Sequence, residues 1–251
     1  KLLADDDRFV AFAARRALER VPVKQWEEQV LAFEAPRPFS YGAVGLLVVN
    51  PSPGLAKSII ARCESMMRGQ ANEPGQKPPQ LSDSAFVDLL RVVQLAIIRG
   101  KVQPADVPSL AQQLLKEYPT RDATMNRELV RLLAYLQPPG AAHKLTHQLE
   151  TPIPDVEKLH VAAYAARIAT GWETPDKLLM LRYMETVRGL EGGHSLNGYI
   201  EYFARDFFAQ LTLADRRQLI AVGEDYPSSV LSVLAGLPEN PGADVLAEIR
   251  A

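Results

Sequence analysis

The sequence predicts an all-α chain: a right-handed superhelix, or α-solenoid, of antiparallel helix pairs with irregular repeats. Three observations predict it. Apolar residues recur at three- and four-residue spacing along nearly the whole chain. Proline and glycine interrupt that pattern at short intervals, as they do where brief turns join antiparallel helices. The resulting pairs repeat at roughly 40 residues, a period typical of helical-repeat arrays. A closed helical bundle or an α/α toroid is the alternative arrangement.

The elements follow in order. Asp5-Asp6-Asp7 supplies N-cap candidates, after which Phe9, Val10, Ala13, Ala14, Ala17 and Leu18 keep helical spacing. Pro22 opens a second helix that carries Trp26, Val30 and Leu31. Pro36-Arg37-Pro38 is expected to be a turn, with a third helix over 39–49. Leu46 to Val49 is the one β-like run, and it fits a buried helix as well. A fourth helix over 55–68 buries Ile59, Ile60, Cys63 and Met67. Residues 70–80, with three prolines and Gly75, are expected to form a flexible loop. The Ser82-Asp83-Ser84 run caps a helix over 85–99, closed by Gly100. Residues 106–118 follow, stopped by Pro119.

The second half repeats the scheme. Helices are expected over 125–136 and 141–149, joined by Pro138-Pro139-Gly140. Asp155 caps 156–170, and Gly171-Trp172 leads into 177–187. Glu191-Gly192-Gly193 turns the chain before a helix that starts at His194 or Ser195 and runs to about 211. Helices over 213–222, 228–234 and 243–249 complete the series.

Composition bounds the function. With 47% hydrophobic and 23% charged residues, the chain is globular rather than disordered. Its 251 residues are enough to bury roughly 70–75% of the unfolded surface, so folding requires no disulfide or metal. The net charge is −2, without a block of Lys and Arg, so nucleic acid is not the expected partner. Cys63 is the only cysteine, which excludes an internal disulfide, a cysteine-based zinc site and covalent haem attachment. The apolar run at residues 45–50 is too short to span a bilayer, so no transmembrane segment is expected. The chain opens on Lys1-Leu2-Leu3 without an initiator Met and ends on Ile249-Arg250-Ala251; we expect a piece of a longer or processed protein.

Two stretches are similar to HEAT/armadillo-like repeats. One is Leu2 to Asp6, then Arg8-Phe9-Val10 and Ala13-Ala14-Arg15-Arg16-Ala17-Leu18. The other is Asn126 to Leu136 with its return helix over 141–149. Together with Pro22, Trp26, Gly171-Trp172 and Gly192-Gly193, they resemble the HEAT region of large bacterial multidomain proteins. Those proteins carry a c-type cytochrome domain and often a dehydrogenase-like propeller. The resemblance implies an exported, periplasmic protein in which this region spaces or docks other domains. It brings no catalytic residue, and the chain lacks Cys-x-x-Cys-His.

Few constellations could carry chemistry. His143 and His147 sit four apart on an expected helix, with Glu150 behind them. That spacing puts both imidazoles on one face, where two histidines and a carboxylate make a weak zinc candidate. A solvated helix face is the simpler reading. His194 and Ser195 follow two glycines at a helix start. They suggest an anion site or a nucleophile with its base, against a plain turn and N-cap with glycine supplying unusual backbone angles. Tyr199, Tyr202, Phe203, Phe207 and Phe208 accompany Arg205 in the most aromatic stretch, which reads as core, with any exposed part suited to a protein interface. Arg127, Glu128 and Arg131 read as a surface ion pair of little worth.

The sequence therefore leads us to expect a non-catalytic scaffold for protein partners or neighbouring domains, without a cofactor. Its binding candidates are Trp172, His194, Ser195, Tyr199, Tyr202 and Arg205. The alternative is a helical-repeat enzyme, DNA glycosylase-like or an α/α-toroid lyase or hydrolase. A glycosylase needs a basic concave face, and a lyase needs carboxylates or histidines converging in one cavity.

Overall fold

The computed structural model describes residues 1–69, 81–187 and 189–221. The expected loop at 70–80 and the expected helices at 228–234 and 243–249 lie outside these residues. Among the described residues the chain is all-helical, with no strand. The β-like run Leu46-Leu47-Val48-Val49 is helical. The helices are α1 (Arg8–Leu18), α2 (Glu27–Leu31), α3 (Pro36–Val49), α4 (Pro53–Met67), α5 (Asp83–Gly100) and α6 (Pro108–Glu117). They continue as α7 (Ala123–Leu136), α8 (Ala141–Gln148), α9 (Asp155–Ala165), α10 (Thr174–Val187), α11 (Leu196–Gln210) and α12 (Leu213–Ala221). No helix of the described residues is long and apolar enough to cross a membrane.

Local chemistry explains most boundaries. The Asp7 carboxylate accepts from the Phe9 N–H at 2.8 Å, so α1 starts where the acidic run predicts. Ser52 and Ser82 cap α4 and α5 in the same way. Pro36-Arg37-Pro38 is not a turn but the first turn of α3. A missing N–H costs nothing there, because first-turn amides have no intrahelical acceptor. Helix α9 ends five residues sooner than expected. The Gln137 side-chain amide accepts from Ala169 N–H at 3.0 Å and donates to Arg167 C=O, taking over backbone groups that a longer helix would pair. Gly140 (φ 88°) and Gly171 (φ 77°) take the left-handed conformations their turns require.

Within the expected 1–251 domain, the chain forms two compact units, Lys1–Leu132 and Leu133–Ala251. In the first, α5 packs on α4 and α3, α3 packs on α1, α2 packs on α4, and α3 also lies against α2 and α4. The core is Phe39, Ala43, Leu46 and Leu47 of α3 against Ile59, Cys63 and Met66 of α4 and Leu89, Leu90 and Val93 of α5, all fully buried. Buried Arg62 donates to the Phe33 C=O at 2.8 Å, and burial lowers its guanidinium below the usual arginine value. In the second unit, α10 packs on α8 and α12, α9 packs on α11, and α9 also lies against α8 and α10.

Glu128 departs from the expected surface pair. It is 5% exposed. Arg91 Nε (3.1 Å) and Gln94 Nε2 (2.9 Å) reach it from α5, and Arg131 Nη1 (2.6 Å) from its own helix. Burial pushes its carboxyl upward. The donors from Gln94, Arg131 and Arg91 outweigh that and hold it below the usual glutamate value.

Candidate functional sites

Two arrangements stand out, one in each unit. In Lys1–Leu132, a cleft of about 370 Å³ opens among α1, α3 and α5. Phe12, Tyr41, Val44, Val92 and Leu95 give it apolar walls, and Arg15, Asp88 and Arg91 give it charge. Phe12 is 51% exposed, with the Arg15 guanidinium 5.0 Å from its ring centre. Ser40 is buried on the cleft wall, and its hydroxyl has no hydrogen-bond partner, whereas the Nε of Arg15 faces the Glu19 carboxylate at 3.6 Å. Buried polar groups are nearly always paired, so the unpaired Ser40 hydroxyl beside an apolar cleft suits an incoming acceptor.

In Leu133–Ala251, the two expected histidines do share a helix face, but Glu150 does not join them. Its carboxylate faces Arg182 Nη1 at 3.1 Å. The carboxylate beside the histidines is Asp176, from the first turn of α10. His143 Nδ1 lies 2.9 Å and His147 Nε2 3.9 Å from Asp176 Oδ1. Asp176 is fully buried, while both imidazoles are exposed.

The six residues expected to bind are dispersed. The Trp172 indole donates to Ile168 C=O at 2.6 Å and meets Phe207 edge-on at 5.4 Å. It lines a small cavity of about 160 Å³ beside Lys177 and Asp215, which pair with each other. His194 and Ser195 are exposed, and no hydrogen bond joins them among the described residues. Ser195 holds the N-cap position of α11 without a side-chain bond. Gly192 and Gly193 do not take left-handed angles. A Cβ at Gly192 would instead overlap Leu196, so this glycine allows a close approach. Helix α11 divides its aromatics: Phe203 and Phe207 are buried, whereas Tyr199 and Tyr202 are exposed. Arg205 lies over the Tyr202 ring at 5.0 Å.

No family model matches the chain, and comparison with curated proteins and with solved structures finds no match.

Proposed function

We propose that this chain is a non-catalytic docking module of helical-repeat type, and that the α1–α3–α5 cleft receives a segment of a partner protein. The partner is a neighbouring domain of the same polypeptide or a separate chain, as the resemblance to multidomain proteins implies. One observation carries the reading: the cleft combines apolar walls with the unpaired hydroxyl of buried Ser40. An apolar side chain fits the walls, and a backbone carbonyl beside it satisfies the Ser40 hydroxyl. Helix packing in each unit supports the solenoid part of the proposal. Alternate helices neighbour in α1–α3–α5, α2–α4, α8–α10–α12 and α9–α11, and consecutive ones such as α4–α5 and α8–α9 pack together as well. Stacked helix pairs give neighbours of both kinds.

Selecting peptides from a random library on the purified chain tests this. Val44 and Leu95 are only partly buried, so Val44→Glu and Leu95→Glu fold while blocking the walls. The expected result is a consensus containing an apolar anchor, with binding lost in both variants. No consensus, or peptides that bind the variants equally well, would sink the proposal.

A further inference from the structure

We propose that His143, His147 and Asp176 form a site for a divalent transition-metal cation of the zinc class, separate from the docking cleft. Three observations converge on it.

The first is geometry. His143 and His147 occupy successive turns of α8, and their ring centres are 4.1 Å apart. The donor atoms of the three residues all lie within 4.8 Å of one another. Zinc bonds of about 2.0–2.1 Å place tetrahedral ligands roughly 3.3 Å apart. The distances from Asp176 Oδ1 to the two histidine nitrogens, 2.9 and 3.9 Å, straddle that value. Both imidazoles are on the surface, where their rings can adjust to close the set.

The second is charge. Asp176 is 0% exposed, and a buried carboxylate requires compensation. Among the described residues no Lys or Arg pairs with it, and its only ionic partners are the two histidines. The adjacent Lys177 is engaged by Asp215. A cation shared among the three side chains would neutralise the carboxylate where no basic residue does.

The third is how Asp176 is held. Its Oδ2 accepts from the Glu173 N–H at 3.2 Å, which fixes the carboxylate plane at the start of α10. Oδ1 is turned to the histidines, with the Thr146 hydroxyl 3.4 Å away. Outer contacts of this kind orient a ligand before the metal arrives. The imidazole side chains are 59% and 48% exposed, so a cation can enter from solvent and keep water in its remaining positions. Two nitrogens and one oxygen favour zinc, cobalt, nickel or ferrous iron over magnesium and calcium, which prefer all-oxygen sets.

The competing account is that the His143–Asp176 hydrogen bond merely ties α8 to α10. Titration of the EDTA-stripped chain with Zn²⁺ by calorimetry, and with Co²⁺ by visible absorption, separates the two. The expected result is one Zn²⁺ per chain and Co²⁺ bands typical of nitrogen–oxygen ligation. The double variant His143→Gln/His147→Gln should weaken binding by more than the about 10–100-fold that outer-contact changes cost. Glu150→Gln should leave binding unchanged. Asp176→Asn risks misfolding because the residue is buried, whereas both histidines are exposed and their variants keep the test decisive. Absence of stoichiometric binding in the wild type, or equal binding in the double variant, overturns the site.

Discussion

Gly100 of α5 lies so close to Ala56 of α4 that a Cβ on the glycine would overlap the alanine methyl. The left-handed residue that ends α5 is the next one, Lys101, at φ 52°. The two positions therefore respond oppositely to substitution. Gly100→Ala, which elsewhere in a helix stabilises by about 1 kcal/mol, should here destabilise by about 1–3 kcal/mol through overpacking. Lys101→Gly should stabilise by about 1 kcal/mol, because only glycine takes left-handed angles without cost. Urea denaturation of both variants checks this, and a Gly100→Ala variant as stable as the wild type refutes the close packing.

The Glu128 cluster makes part of the first unit's stability pH-dependent. The folded carboxyl sits below its ordinary value of 4.5, so the ionised form is the one that folding favours. Its contribution is complete above the ordinary glutamate range and is lost as pH falls through the lower folded value. Glu128→Gln should cost about 1–3 kcal/mol at pH 7, the range for hydrogen bonds to a charged group. It should also flatten the loss of stability below about pH 4.5. Denaturation midpoints measured from pH 3 to pH 7 would show both effects; parallel pH profiles for the two proteins would contradict them.

Phe9 and Phe12 separate stability from docking. Both are largely exposed, at 68% and 51%, and each lies beside an arginine. Serine at either position should change stability by less than about 0.5 kcal/mol. Only Phe12 lines the cleft, so Phe12→Ser should weaken binding of a selected peptide and Phe9→Ser should not. Peptide titrations of the two variants, read by fluorescence anisotropy, decide it.

Cys63 is fully buried on α4, and burial drives its thiol well above the usual cysteine value. The thiolate is the reactive form, so the native protein should resist thiol reagents. Labelling should proceed at the rate at which the α3–α4–α5 core opens and reach one equivalent in denaturant. Rapid stoichiometric labelling of the native chain would contradict this packing.

The sequence made the helices legible because their signals are local. Asp7 and Ser82 cap the helices they precede, and the Pro138-Pro139-Gly140 turn carries its left-handed glycine. Pro36-Arg37-Pro38 misled because proline is as much at home in a first helical turn as in a bend. Neither site was fully legible, because each depends on residues far apart in the chain. The spacing of His143 and His147 revealed a shared face but pointed to Glu150 rather than to Asp176, which lies 33 positions after His143. The only local sign of Asp176 was its place in the first turn of α10. The cleft needed the juxtaposition of Phe12, Ser40 and Leu95 on three helices, which no periodicity within one helix expresses.

Asp176 divides its two oxygens between different duties. Oδ2 belongs to the architecture of α10, whereas Oδ1 faces the imidazoles. The interior half of the cluster is thus under constraint whether or not anything binds, and the outer half sits on exposed side chains. Two codons are enough to erase or restore the histidines, at the cost of the 2.9 Å partner that His143 gives the buried Oδ1. A descendant lineage could abandon the site and later regain it, with the aspartate kept in place throughout by its structural task.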